Sequence, residues 1–268
     1  MASPRLRLTL SRRQLLLGGS AAILAARSAR AFGQEGAFNP RALTTGGVRW
    51  EGPRVSGCGR WAWELVRRTS APARLVPSHV AADDPALLAE PFAVWTGDSD
   101  VAPLTAPERK GIERFIDLGG VLVVDDFEPG QGTFGRAARR ELTSIFPETP
   151  LVKLMARSGG DIEQEHVIYK SYYLLDRPTG RVEGPPFVEA IVRGRDTQVI
   201  FLAHDLLGAL ARAPDGSWKF PIEPGGAEQR EYAIRFAVNL AMYVLCSNYK
   251  DDQVHAQALM RRRGRFQP

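Results

Sequence analysis

The chain has 268 residues with a formal charge of +5, 44% of them apolar and 24% charged, with two cysteines. The positive excess is local: residues 1–31 hold six arginines and no acid, so without them the charge is −1, and Arg261, Arg262, Arg263 and Arg265 crowd the other end. The body between is acidic, which excludes a general nucleic-acid-binding face.

The first element in chain order is an address. Ser11-Arg12-Arg13-Gln14-Leu15-Leu16 leads into an apolar run ending at Ala26, followed by Ala29-Arg30-Ala31. This resembles a twin-arginine signal, with Arg12 and Arg13 as the paired arginines and cleavage after Ala31. The run Leu15–Ala26 is broken by Gly18-Gly19 and is shorter than the roughly 20 residues that span a bilayer. It therefore reads as a signal core, and no transmembrane helix is expected once it is removed. The expected location is the periplasm or cell envelope. The expected organisation is a signal over 1–31, a lead-in over 32–45, a single domain over 46–255 and a basic tail over 256–268.

Within the body, a short strand is expected near Val48–Trp50, then a Gly/Pro loop and a helix through Trp61, Trp63, Leu65 and Val66. A second strand is expected at Arg74–Val76. Phe92–Thr96, apolar and ending at Gly97, reads as a buried strand. Thr105-Ala106-Pro107-Glu108 is a capping box, in which hydroxyl and carboxylate each satisfy a free amide at a helix start. Ile112, Phe115 and Ile116 then share one helical face, and Gly119 supplies a left-handed stop. Val121–Val124 is a continuous apolar run, as in a strand covered on both faces. Strand, helix and strand within about 35 residues form a crossover unit and imply a parallel sheet. A helix over Gly135–Phe146 follows, then strands at Val188–Val192 and Val199–Ala203, joined as a hairpin through Gly194-Arg195-Asp196. The last helix, Glu228–Ser247, is apolar almost all round and reads as a core helix. The fold class is three-layer α/β with a mostly parallel sheet.

Several short motifs carry a resemblance. They are Pro91-Phe92 with Trp95-Thr96-Gly97, Leu104-Thr105 with Glu108, Phe115 with Gly119-Gly120, and Asp125-Asp126. Phe134-Gly135-Arg136 with Arg140-Glu141-Leu142, His204-Asp205-Leu206 and the run Asn248 to His255 complete the set. Together they resemble the family catalogued as domain of unknown function 4159. The resemblance implies a class I glutamine-amidotransferase-like, flavodoxin-like fold and supplies no reaction. Amidotransferases of that superfamily place a nucleophilic cysteine on a sharp strand-to-helix turn. Here the corresponding strand ends in Asp125-Asp126, so no thiolate mechanism is expected at that elbow.

Ligands of open α/β sheets sit beyond the carboxyl ends of parallel strands. Asp98 and Asp100 follow one expected strand, Asp125 and Asp126 a second, and His204-Asp205 a third. Two readings remain open. The groups converge on a crevice that holds a divalent cation or sugar hydroxyls, or each aspartate caps its own turn. Adjacent Asp125 and Asp126 face opposite ways if the strand persists, so one of them at most reaches a shared site. Gly57-Cys58-Gly59, ahead of a helix, is a weak nucleophile-elbow candidate with His79, His166 or His204 as base. Cys58 and Cys246, an even pair in an exported chain, permit a disulfide but equally fit two separate thiols. Arg136, Arg139 and Arg140, with Gly130, Gly132 and Gly135, form either an anion site or a solvated charged face. The aromatic run at Lys170-Ser171-Tyr172-Tyr173, after His166, either stacks on a sugar or packs a lid onto the sheet. His255 is expected to pair locally. No cofactor is predicted beyond that cation. The function expected is a non-catalytic binding domain for an envelope protein or carbohydrate. The alternative is a metal- or carboxylate-dependent hydrolase of envelope carbohydrate acting through Asp98, Asp126 and His204.

Overall fold

The computed structural model describes residues 37–46, 52–156, 165–194 and 196–263, with side chains up to Cys246. Seven strands form one sheet in the order β2-β1-β3-β4-β7-β6-β5. They are β1 (Arg41–Thr44), β2 (Ser78–Ala81), β3 (Phe92–Gly97), β4 (Val121–Asp126), β5 (Leu151–Met155), β6 (Phe187–Arg193) and β7 (Asp196–Leu202). β1, β2, β3, β4 and β7 are mutually parallel, and β6 runs antiparallel to both β5 and β7. Among the described residues five α-helices accompany them: α1 (Val55–Thr69), α2 (Ala106–Asp117), α3 (Thr133–Ile145), α4 (Leu206–Leu210) and α5 (Gly226–Arg263).

β4 shows why the sheet is central. Val121 and Val123 enter one core with Cys58, Trp61 and Leu65 of α1 and Phe236 and Leu240 of α5. Leu122 and Val124 enter another with Ile112, Phe115 and Ile116 of α2 and Phe134, Ala138 and Leu142 of α3. Strand residues alternate faces, so a strand covered on both sides must be apolar throughout. That makes three layers, as expected. Within the last helix, Arg235 and Asn239 interrupt the apolar surface. Asn239 accepts from Tyr172 N and Tyr173 N at 3.2 and 2.7 Å and donates to the Tyr173 carbonyl at 2.8 Å. Among the described residues no helix is long and apolar enough to cross a membrane.

The unit β3–α2–β4 matches expectation closely. Thr105 and Glu108 form the reciprocal capping box, and Gly119 takes φ +88° past the helix end. The β6–β7 hairpin also forms. The amino-terminal strands differ. β1 lies at Arg41–Thr44, inside the stretch expected to be a lead-in, while the strand expected at Val48–Trp50 lies outside the described residues. Arg41 is buried because its guanidinium donates to the carbonyls of Ala86, Leu87 and Glu90 at 2.8–2.9 Å, partners that a local pattern does not reveal. The second strand falls at Ser78–Ala81 rather than Arg74–Val76. Ala73 makes only an isolated bridge to Phe38. β5 and α4 add to the expected elements, and the helical backbone of α5 continues to Arg263, into the stretch expected as a tail.

Close helix-to-strand packing gives a signed test. A Cβ on Gly111 of α2 would lie 1.8 Å from the Ala82 carbonyl oxygen. Helix propensity alone favours alanine over glycine by about 1 kcal/mol, whereas overpacking against fixed backbone costs about 1–3 kcal/mol. Gly111→Ala is expected to lower the urea midpoint. A raised midpoint would show that α2 does not press on the segment after β2.

Candidate functional site

The order β2-β1-β3-β4 reverses direction between β1 and β3, the switch point at which connecting loops part and leave a crevice. A cavity of about 620 Å³ opens there. Its walls include Thr44 at the end of β1 and Thr45 after it, Arg54 ahead of α1, and Thr96, Gly97, Asp98 and Asp100 at and just past the end of β3. Trp95, Phe127 and Phe134 supply aromatic surface. The local sequence explains the floor. A Cβ at Gly97 would lie 2.6 Å from the Phe134 ring, so glycine lets that ring close over the strand end. Trp95 meets Phe134 edge to face at 5.7 Å.

The candidate acids divide between this cavity and structural duty. Asp98 and Asp100 are exposed and line the crevice, and Asp100 lies 3.5 Å from the Arg140 guanidinium. Asp125 and Asp126 part to opposite faces, as strand alternation requires. The fully buried Asp125 accepts from Leu206 N and Leu207 N at 2.9 and 2.8 Å, holding the start of α4. Burial first, then the neighbouring Asp205 charge, push its carboxyl well above the usual carboxylate range. Asp126 accepts from Glu128 N and Gly135 N, both at 3.0 Å, and so ties β4 to the loop and the first turn of α3. Burial raises its affinity for a proton, and these two backbone bonds oppose that rise.

Asp205 is the hub between strand ends. It takes a left-handed conformation, φ 51°, at the junction of β7 and α4 and accepts from Gly208 N at 3.0 Å. Arg54 grips its two oxygens with Nε and Nη2 at 2.9 and 2.8 Å, and the Arg181 Nε donates to the same carboxylate. The Arg54 guanidinium lies over the rings of Phe127 at 4.2 Å and Phe220 at 4.4 Å. Two cations therefore share one buried carboxylate, in an aromatic clamp that fixes the fork of Arg54.

His204 lies apart from the crevice, beside a second cavity of about 370 Å³ walled by Arg177, Thr179, Glu183, Gln229 and Tyr232. Its Nε2 donates to the Pro185 carbonyl at 2.9 Å, and its Nδ1 is buried without a hydrogen-bond partner among the described residues. Burial pulls the imidazole down to about 4. The six acidic and histidine candidates thus do not converge: two face the crevice, three hold the chain together and His204 borders another cavity. Among the described residues no group of three or more His, Cys, Asp and Glu could hold a metal ion.

The remaining candidates take structural places. Cys58 is buried in α1 and burial pushes its thiol up to about 12, so it carries no thiolate at neutral pH. Gly57 and Gly59 admit close backbone approach, since a Cβ would lie 2.6 Å from Leu207 O or 2.8 Å from Leu75 O respectively. The two thiols are free, Cys58 buried and Cys246 exposed, so the bridge that sequence permitted is not formed. The three arginines of α3 disperse: Arg136 bonds the Gln131 carbonyl, Arg139 pairs with Glu189, and Arg140 with Glu141 and Asp100. The aromatic segment divides: Tyr172 is exposed with its hydroxyl donating to the Arg68 carbonyl at 2.6 Å, Tyr173 is half-buried, and Tyr169 just ahead of the run is buried and stacks on Phe236 of α5 at 6.0 Å. His255 lies outside the described side chains. Sequence reading missed Arg54 and Arg181, and nothing near them marks them: Arg54 meets its partner 151 positions away.

The fold and crevice define a doubly wound α/β domain with a cavity at its topological switch point and, among the described residues, no assembled nucleophile and base around it. The chain belongs to the family described as Domain of unknown function (DUF4159), which matches residues 41–245. It is also 32% identical over 144 residues to a protein of Beijerinckia indica named glycerol-3-phosphate dehydrogenase [NAD(P)+]. That similarity covers 47% of this chain and 41% of the other protein, so the chain spans less than half of the length of the curated relative it matches.

Proposed function

We propose that this chain is an exported, non-catalytic binding domain of the cell envelope, built on a class I glutamine-amidotransferase-like scaffold, whose ligand or partner enters the crevice between β1 and β3. The observation that carries this reading is the crevice itself. About 620 Å³ of open space lies at the switch point, while Asp125, Asp126 and Asp205, the groups that would otherwise supply acid–base chemistry, are held by backbone amides and arginines. Such a volume is within the range of small-molecule sites, about 300–1,000 Å³. The twin-arginine pattern at Arg12 and Arg13 supports export.

A carboxylate-dependent hydrolase is disfavoured on placement. Asp126 is tied to Gly135 N, and His204 borders the other cavity, so Asp98 lacks both proposed partners. Nor does the name of the partly matching dehydrogenase transfer. A dinucleotide site needs glycines at the turn between strand and helix, with amides free to meet a pyrophosphate. The spacing Gly57-x-Gly59-x-x-Ala62 instead lies within α1, where its glycines back onto Leu207 and Leu75.

Ser99, exposed on the crevice wall, offers a test. A thermal-shift screen of N-acetylglucosamine, short peptides and divalent cations is expected to raise the melting midpoint for at least one probe, and Ser99→Trp, which plugs the mouth, is expected to abolish that rise. A rise unchanged in Ser99→Trp would place binding elsewhere. A flat screen would remove the small-ligand form of the proposal.

A further inference from the structure

Arg54 and Asp98 face the crevice with opposite charges and do not pair with each other, while Asp100, the other acid on its wall, lies 3.5 Å from the Arg140 guanidinium. At one side Arg54 spends Nε and Nη2 on Asp205, and its Nη1 makes no hydrogen bond among the described residues. The aromatic faces of Phe127 and Phe220 hold the guanidinium plane, so Nη1 is a donor fixed in position before any ligand arrives. Asp205 is shared with Arg181, which also has the half-exposed Glu128 at 4.0 Å, so Arg54 has no carboxylate of its own. At the other side Asp98 follows directly on Gly97. It is exposed and enters no ion pair among the described residues, with Arg54 or any other cation.

The backbone relates the two. Phe127 N donates to Gly97 O at 2.9 Å, so the ring beneath Arg54 is anchored next to the residue that precedes Asp98. Thr45 and Thr96 and the apolar surface of Trp95 and Phe134 line the same crevice.

We infer that the crevice binds a small zwitterion, an amino acid or dipeptide with both termini free, its carboxylate on Arg54, its ammonium on Asp98 and its side chain against Trp95 and Phe134. This rests on the crevice being the binding site and names the ligand chemistry for it. Charge balance decides among alternatives. A neutral sugar can hydrogen-bond both groups but neutralises neither charge. A simple anion would meet Asp98, and a simple cation would meet Arg54. A guanidinium also presents the donor geometry that suits a carboxylate. One molecule carrying both charges satisfies both walls.

Isothermal titration of the full chain distinguishes these cases, with Ala-Phe, phenylalanine, N-acetyl-Ala-Phe, Ala-Phe amide and N-acetylglucosamine as probes. Ala-Phe or phenylalanine is expected to bind saturably, whichever is tighter marking the ligand length. Blocking either terminus of Ala-Phe is expected to weaken it at least tenfold. Asp98→Asn, at an exposed position with no hydrogen bond or ion pair of its side chain among the described residues, is expected to erase the difference between Ala-Phe and its N-acetyl form while leaving the melting midpoint unchanged. Equal affinity for free and blocked peptides, or an Asp98→Asn protein that still prefers the free amine, would overturn the inference. Binding of N-acetylglucosamine alone, lost in Ser99→Trp, would overturn it while leaving the crevice as the site. Silence from every probe would overturn the inference.

Discussion

Asp205→Asn is expected to destabilise the protein by about 3–5 kcal/mol, the cost of breaking a buried ion pair by removing one partner. Asparagine is nearly the same shape and tolerates the left-handed backbone at φ 51°, so a conformational cause is set aside. What changes is charge. Arg54 and Arg181, with side chains only 12% and 18% exposed, lose the carboxylate they share, and half of the substituted amide is a donor facing donors. The helix start at α4 loses a charged acceptor for Gly208 N as well. Urea unfolding checks this, with Asp98→Asn as the control expected to lie within about 0.5 kcal/mol of the native chain. A loss under about 1 kcal/mol at Asp205 would show that the two arginines are not anchored through it.

The second large effect is a stability maximum near pH 6.5, set by buried groups of opposite sign. Burial pulls His166 and His204 down to about 4 from an ordinary value of 6.5. The hydrogen bonds agree with neutral rings: the Nδ1 of His166 accepts from Ile168 N at 3.3 Å, leaving its Nε2 to meet Thr197 Oγ1 at 2.9 Å. Between pH 6.5 and 4 the unfolded chain takes up two protons that the folded chain refuses, so stability falls as pH falls, by about 3 kcal/mol per histidine over the window. Asp125 acts against this. Its raised affinity keeps a proton in the folded state that the unfolded carboxylate has lost, and Asp126 acts in the same direction, so the fall below pH 6.5 is shallower than the two histidines alone would give. Above pH 6.5 the histidines are neutral in both states. The carboxyl contribution alone then remains, and stability declines as pH rises towards the folded value of Asp125. Urea titrations from pH 4 to 8 are expected to trace that maximum, and His166→Gln with His204→Gln to remove the acid limb. Stability falling steadily from pH 4 to 8 in the native chain would contradict the buried neutral imidazoles.

The parts of the fold that sequence reveals are those whose cause is local. The β3–α2–β4 unit is legible because a strand buried on both faces must be a continuous apolar run, and because Thr105 and Glu108 satisfy each other within four residues. β1 is illegible because its burial depends on Arg41 reaching carbonyls 45–49 positions away. α4 is five residues long, too short for a helical period, and Asp125, 81 positions upstream, holds its first amides. The site follows the same division. Strand ends show where a crevice opens, and alternation shows that Asp125 and Asp126 part. The roles of the acids depend on Arg54 and Arg181, which reach Asp205 from loops with no pattern of their own. An acid at a strand end therefore looks the same in sequence whether it serves a ligand or a helix.

The central claim is that binding takes place at the β1–β3 crevice and not at the cavity beside His204. Amide chemical-shift mapping of the isotopically labelled chain with saturating Ala-Phe tests it most directly. The expected result is that the amides of Thr44, Thr96, Gly97 and Asp98 move while those of Thr179, Glu183 and His204 stay still. Shifts confined to the latter three would contradict the account.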